Sequence, residues 1–311
     1  MATIRLLSQP LRGGFGRTLG MCVTEARPSV LVIFLMRFAT GAALETRVAG
    51  WDVTRVCATA VVWELAVFAV YLFNGAMDLR EDQVNGSRRP IARGDLAPAA
   101  ALTVSLAAAV AALLGSLVLG GLTPHLVAAL LVLGFAYSGP PFYLKRRSST
   151  TAVVGMSGGL LSYCAGFTAP NVPVQDIAVL PMLAVAGSLW MAVVGTLAKD
   201  LPDIAGDAAA GRSSAIAALG ERRARWVLSG AALGLALTFC AVSVTFDTPL
   251  LRSAGTMLAG ATGIAILCLS AAARGNRVRQ RRPYRLFMVT QYAVHIAALL
   301  PETAENILPI S

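Results

Sequence analysis

Lysine is almost missing from this chain. Of 26 basic residues only Lys145 and Lys199 are lysines, and there are only two histidines, His125 and His295. Charge of either sign is sparse, at 14% of 311 positions. Soluble domains carry about a quarter charged residues, so an ordinary water-soluble fold is excluded. The five cysteines (Cys22, Cys57, Cys164, Cys240, Cys268) show no paired spacing. Four of them lie in or beside apolar runs, where a thiol acts as a small hydrophobe rather than a metal ligand or half-cystine. Ser, Cys and His positions form no recognisable nucleophilic triad. Arg5, Arg12 and Arg17 precede no apolar core with a cleavage site, so no removable signal peptide is expected.

What is abundant is apolar surface: 56% of residues, with a mean hydropathy of +0.69. Apolar runs of bilayer-spanning length recur at 28–46, 53–77, 97–121, 124–143, 151–170, 175–198, 226–246, 250–273 and 284–301. The expected fold is therefore an all-α polytopic membrane protein with nine transmembrane helices. Loop charges test that count. The N-terminal arm (Arg5, Arg12, Arg17, Arg27) and the even-numbered loops between spans hold 22 of the 26 basic residues. The opposite loops hold only Arg47, Arg55 and Arg252, and Arg37 lies within a span. This asymmetry places the N-terminus in the cytoplasm and the C-terminus, with Glu302 and Glu305, outside. The net charge of +10 thus marks topology rather than nucleic-acid binding.

The expected organisation is a basic cytoplasmic arm (1–26), one transmembrane domain (27–303) and a short tail (304–311). Within the domain, pseudo-halves 27–150 and 151–273 precede a ninth helix at 284–301. Met-Asp-Leu-Arg-Glu-Asp after span two and Lys-Asp-Leu-Pro-Asp-Ile after span six occupy matching positions in the two halves.

Two acidic clusters fall in loops on the same expected membrane face. Asn74, Asp78 and Asp82 are spaced four apart, so on a continuing helix they climb one side. Asp200, Asp203 and Asp207 follow i, i+3, i+7 spacing, with Pro202 and Gly206 marking a helix start or break. Stacked carboxylates repel unless a cation lies between them, and Mg²⁺ suits hard oxygen ligands. Together the clusters make a candidate metal–diphosphate clamp. Arg88, Arg89 and Arg93 follow the first cluster, and Lys199 opens the second. A diphosphate needs metal on some oxygens and guanidinium or ammonium on others. Between the clusters, Tyr137-Ser138-Gly139-Pro140-Pro141-Phe142-Tyr143-Leu144-Lys145-Arg146 ends span four at its tandem prolines. Lys145 there is either a membrane anchor or a diphosphate contact.

Asn-x₃-Asp-x₃-Asp with Arg-Pro-Ile-x₂-Gly, then Tyr-Ser-x-Pro-Pro-x₃-Lys, then Lys-Asp-x-Pro-Asp-x₂-Gly-Asp, in this order, resembles the UbiA superfamily of intramembrane prenyltransferases. The last two motifs are most similar to its chlorophyll-synthase and homogentisate-prenyltransferase branches. The resemblance implies a UbiA-like helical barrel open to the membrane and two Mg²⁺ held by both acidic motifs. It implies transfer of a prenyl group from an isoprenyl diphosphate to a small aromatic acceptor. Asn74, Asp78 and Asp82 would form one metal motif; Asp200, Asp203 and Asp207 would form the other. Arg88, Arg89, Tyr137, Lys145 and Lys199 would meet the diphosphate. Many relatives carry Asp after the motif's Asn, where this chain has Gly75, and the usual Asn-x-Pro-x-Arg-Pro segment is here Asn85-Gly86-Ser87-Arg88-Arg89-Pro90.

Two charges lie inside spans, Arg37 and Glu64, each costing about 2.5–3.5 kcal/mol on insertion scales unless partnered. They either pair with each other or face an acceptor, with Glu64 orienting it or taking its proton. Helical spacing puts Glu64 on one face with Tyr71, Asp78 and Asp82. Tyr71, Tyr163 and Trp190 are candidates for lining an allyl cation, as are Trp63, Phe142, Tyr143 and Phe167. His295 reads as a bonded core residue. Nothing in the pattern calls for an obligatory protein partner. The Ala-, Arg- and Gly-rich composition suggests a bacterial cell membrane, with the site open to the cytoplasmic face. The competing activities are cyclisation of the prenyl diphosphate without an acceptor, transfer to a polar acceptor such as a sugar phosphate, and binding or transport of the diphosphate lipid intact.

Overall fold

The computed structural model describes residues 14–46, 52–84, 86–170, 179–203 and 219–300. Every regular element among the described residues is helical. Helices occupy all nine apolar ranges, yet among the described residues five are both long and apolar enough to cross a bilayer, or six if one bent pair counts as a single span. They make the chain an integral membrane protein. Contacts divide it into two compact units, residues 1–173 and 174–311. The division falls after the helix at 148–168, not before it as the repeat pattern suggests.

The first unit holds α1 (Phe15–Glu25), α2 (Pro28–Thr46), α3 (Val53–Met77), α4 (Leu79–Val84), α5 (Pro98–Leu119), α6 (Thr123–Ser138) and α7 (Ser148–Thr168). The arm read as merely basic thus contains a helix. Arg27 takes a left-handed conformation (φ 62°) and Pro28 has no N–H to continue α1, so α2 leaves at 73° to it. Asp52 caps α3 by accepting from the Arg55 N–H at 3.0 Å. Pro98 and Pro124 stand in the first turns of α5 and α6, where a missing N–H costs nothing. α3 packs against α5 and α6, and α2 against α7.

The α2–α7 contact is backbone against backbone. A Cβ added at Gly166 would strike the Phe38 carbonyl, and one at Gly41 would strike the Tyr163 carbonyl. Small residues at both positions let the helices approach, as membrane helices require when burial against lipid supplies no drive. That close approach is why α7 belongs with the first unit.

The second unit contains α8 (Val179–Asp200), α9 (Glu221–Thr245), α10 (Leu251–Leu269) and α11 (Arg282–Leu299). α8 widens into a π-helical turn at Trp190–Gly195. α10 packs against α9 and α11. Its core includes Leu183, Trp190, Leu228, Met257, Ile264 and Phe287. Arg225, counted above among the topology charges, is buried. It donates to the Ala273 and Cys268 carbonyls at 2.7 and 3.4 Å, satisfying backbone groups at and beyond the end of α10.

Candidate active site

The first acidic motif straddles a helix end. α3 stops at Met77, and Asp78 is its C-cap. The backbone ladder nonetheless continues: Asp78 N–H donates to the Asn74 carbonyl at 2.9 Å, and Asp82 N–H donates to the Asp78 carbonyl at 2.9 Å. The fourfold spacing therefore survives the break, with α4 carrying Asp82.

Each motif residue has a specific partner. Asn74 is buried, and its Nδ2 donates to Ser138 Oγ at 2.7 Å. That bond orients the amide, leaving Oδ1 as its acceptor end. Asp78 Oδ1 accepts from Lys145 Nζ in a short charged hydrogen bond. Asp82 Oδ2 lies 2.8 Å from Arg89 Nη1, which also stands 4.0 Å from Asp78 Oδ2. Burial pushes the Asp82 carboxyl above the usual aspartate range; Arg89 opposes this and the charge of Asp78 adds to it.

Lys145 is delivered by the loop after α6. Gly139 to Tyr143 carries the chain into a 3₁₀ turn at Leu144–Arg146, with Tyr143 left-handed at φ 43°. Thr150 Oγ1 donates to the Leu144 carbonyl and Thr151 Oγ1 to the Lys145 carbonyl, which ties the turn to α7. Arg146 stacks over the Tyr143 ring at 4.5 Å. Tyr137 is hydrogen-bonded to Thr151. Arg88 is exposed while Arg89 is half-buried.

Sequence reasoning missed the residue that holds Arg89. Glu25, wholly buried at the end of α1, accepts from Arg89 Nε at 2.7 Å and from the Ile91 N–H at 2.9 Å. Arg89 Nη2 lies 2.6 Å from the same carboxylate. A carboxylate in the last turn of a helix opposes the macrodipole. That misplacement, just before Arg27-Pro28, was the available signal that Glu25 serves another group. Gly75 faces this pair, and a Cβ there would fall 2.6 Å from Glu25 Oε1 and 2.7 Å from Arg89 Nη2.

The donor set suits Mg²⁺. Asp78 and Asp82 offer hard carboxylate oxygens, and Lys145 and Arg89 occupy cation positions beside them. Among the described residues, no three His, Cys, Asp or Glu side chains come close enough to hold an ion by themselves. In the second unit, Lys199 is exposed in the last turn of α8, Asp200 ends that helix and is half-buried, and Asp203 ends a 3₁₀ turn at Leu201–Asp203. Asp207 lies outside the described residues.

Of the charges within spans, Arg37 is buried on α2 and hydrogen-bonded to the buried Tyr163 of α7, with its guanidinium 5.5 Å from the centre of the Phe34 ring. No ion pair joins it to Glu64 among the described residues. The Arg37–Glu64 pairing considered from sequence is therefore replaced by Arg37–Tyr163, because α2 lies tightly along α7. Glu64 is half-buried, and its Oε1 has no hydrogen-bond partner among the described residues. Tyr71 meets Phe34 edge-on at 5.6 Å. Trp190 is buried, stacks on Phe287 at 5.8 Å, and leaves its Nε1 without a hydrogen-bond partner among the described residues. His295 is buried with Nδ1 2.6 Å from the Gln291 carbonyl, the bonded core position expected.

Comparison with known proteins adds three findings. The model of the UbiA prenyltransferase family matches residues 32–294. A probable chloroplastic homogentisate phytyltransferase 2 from Oryza sativa subsp. japonica is 32% identical over 182 residues, 57% of this chain and 47% of that protein. The chain thus spans about half the length of the curated relative it matches. Among solved structures, a UbiA homolog from Archaeoglobus fulgidus bound to GPP and Mg²⁺ has a TM-score of 0.65 at 15% identity, covering 89% of this chain and 99% of that one. A digeranylgeranylglyceryl phosphate synthase has a TM-score of 0.64 at 12% identity, covering 91% and 97%. At such identities these structures establish the fold alone.

Proposed function

This chain belongs to the UbiA prenyltransferase family, and on that premise we propose that it transfers a prenyl group from an isoprenyl diphosphate to a small aromatic acceptor inside the membrane. The observation that carries the reading is the interleaving of two carboxylates with two cations: Lys145 on Asp78 and Arg89 on Asp82. Such a set binds a metal and a polyanion together, as the motif resemblance implies. The names of the similar proteins agree, since one is a homogentisate phytyltransferase and one was solved with GPP and Mg²⁺.

In this reading Asn74, Asp78 and Asp82 form one metal-ligand set, and Asp200, Asp203 and Asp207 form the other. Mg²⁺ held by such carboxylates would neutralise the leaving diphosphate, easing cleavage of the allylic C–O bond. Lys145 and Arg89 turn their donors from the carboxylates to the diphosphate oxygens, with Arg88 and Tyr137 completing the contacts; Lys199 keeps the diphosphate role that its own motif implies. Arg89 is suited to this, because its buried Nη1 and Nη2 sit in ion pairs without reaching hydrogen-bond geometry. The lipid-enclosed site keeps water from the allyl cation, and aromatic faces such as Tyr71, Tyr163 and Trp190 stabilise it. The acceptor ring attacks and loses a proton. With Arg37 engaged by Tyr163, Glu64 has the oxygen to meet an acceptor hydroxyl. Nine spans with a cytoplasmic N-terminus would put both motifs on one membrane face.

The test is product analysis in proteoliposomes with a prenyl diphosphate, Mg²⁺ and a panel of phenols. An acceptor-dependent prenylated aromatic supports the proposal, and Asp78→Asn and Asp203→Asn abolish it. A hydrocarbon formed without acceptor would reassign the protein as a cyclase. Intact prenyl diphosphate throughout would reassign it as a binding or transport protein.

A further inference from the structure

Arg89 stands between three carboxylates of one unit, Glu25, Asp78 and Asp82. Asp82 is asked to serve a metal, yet a guanidinium beside it competes for the same oxygens. What limits that competition is the other side of the arginine. Glu25 engages Nε and Nη2, so only Nη1 reaches toward Asp82, and it does so without hydrogen-bond geometry. Glu25 is itself fixed by the Ile91 N–H and by burial of Cys22 of α1 and its C-cap Ala26 against Leu72, Ile91 and Leu96. The glycine at residue 75 leaves the room in which the carboxylate meets Arg89 in this geometry. Any side chain there would overlap Glu25 and the Arg89 terminus.

We infer that Glu25 is a positioning residue. From outside the acidic motif, and through the gap left at Gly75, it draws Arg89 partly off Asp82, so that Asp82 can take a divalent cation while Arg89 keeps two donors for the diphosphate. The inference rests on the proposed metal–diphosphate reading of the first motif. It goes beyond that reading by assigning Glu25 and Gly75 a shared role. Charge supports it. Without Glu25, both edges of the guanidinium turn to Asp82 and Asp78, and a bidentate arginine–carboxylate pair is a stronger competitor than a single terminal contact.

The experiment measures Mn²⁺ binding by electron paramagnetic resonance to the full chain in detergent, without substrate and so independent of turnover. Glu25→Gln keeps the size of the side chain and an acceptor for Ile91 but removes the charge. It is expected to weaken Mn²⁺ binding roughly tenfold or more, the usual scale for losing a group that orients a metal ligand. Gly75→Ala keeps every charge and displaces only the flexible ends of Glu25 and Arg89, and is expected to weaken binding comparably. Because both act on one pair, the double variant is expected to be no weaker than the worse single variant. In turnover, both variants raise the Mg²⁺ concentration for half-maximal rate while kcat at saturating Mg²⁺ falls much less. Glu25→Asp, which keeps the charge, partly restores Mn²⁺ affinity. Unchanged Mn²⁺ affinity in Glu25→Gln and Gly75→Ala, with thermal unfolding intact, overturns the inference. Strictly additive losses also overturn it. Asp78→Asn separates the two ideas: if wild type binds no Mn²⁺, or Asp78→Asn binds as wild type does, the metal reading itself has failed.

Discussion

Lys145 Nζ donates to Oδ1 of Asp78 across 67 residues of sequence, from the loop that ends α6 to the cap of α3. In the proposed reading the lysine competes with a metal for Asp78 and attracts the diphosphate that arrives with it. These roles have opposite signs. Lys145→Met should let Mn²⁺ alone bind more tightly, while the KM for prenyl diphosphate rises about tenfold, the scale of one lost charged hydrogen bond. Parallel metal-binding and steady-state measurements check both halves. A variant in which both affinities fall together would show that Lys145 only supports the fold of the loop.

Asp82 gives a pH dependence. Burial holds its carboxyl above the ordinary aspartate range, so its proton returns at a higher pH than an exposed aspartate would allow. Protons and Mg²⁺ compete for the same oxygens. The Mg²⁺ concentration for half-maximal activity should therefore rise as pH falls, beginning before ordinary aspartates titrate. Saturating Mg²⁺ should shift the acid limb of the rate profile to lower pH. An acid limb that does not move with Mg²⁺ would remove Asp82 from the ligand set.

Gly166 predicts stability rather than chemistry. The carbonyl of Phe38 occupies the place of its missing Cβ, and a backbone carbonyl has no rotamer to escape into. Gly166→Ala should force α2 and α7 apart and cost about 3 kcal/mol, the upper end for overpacking. Thermal unfolding in detergent should show a clear loss, whereas Gly155→Ala, with open space around it on the same helix, should not.

The legible parts of the molecule were those with local signatures. Apolar runs placed α2, α3 and α5 to α11 to within a few residues, because hydrophobic length is written along the chain, whereas the short polar α4 left no such trace. Asn74, Asp78 and Asp82 were visible through their spacing. Glu25 was not, because its meaning lies in Arg89 and Gly75, which come near it only in the fold. Ser138 looked like part of a turn before proline, yet it receives the Asn74 amide. Arg37 and Glu64, both intramembrane and opposite in sign, allowed either a mutual pair or two contacts to an acceptor. Periodicity could not foresee that the small residues of α2 and α7 would bring Tyr163 to Arg37 first.

That outcome makes Glu64 the sharper test of acceptor binding. Its Oε1 is buried without a hydrogen-bond partner among the described residues, a state that costs free energy unless a ligand repairs it. If an acceptor hydroxyl is that ligand, Glu64→Gln should raise the acceptor KM by roughly tenfold, the upper scale of one hydrogen bond. The KM for prenyl diphosphate should stay near wild type, because Asp78, Asp82, Lys145 and Arg89 are untouched. Replacing the unpartnered carboxyl with an amide of the same size should also leave thermal stability near wild type, since no hydrogen bond among the described residues is lost at Oε1. The opposite pattern, a large fall in stability with an unaltered acceptor KM, would make Glu64 a packing residue and move the acceptor site elsewhere.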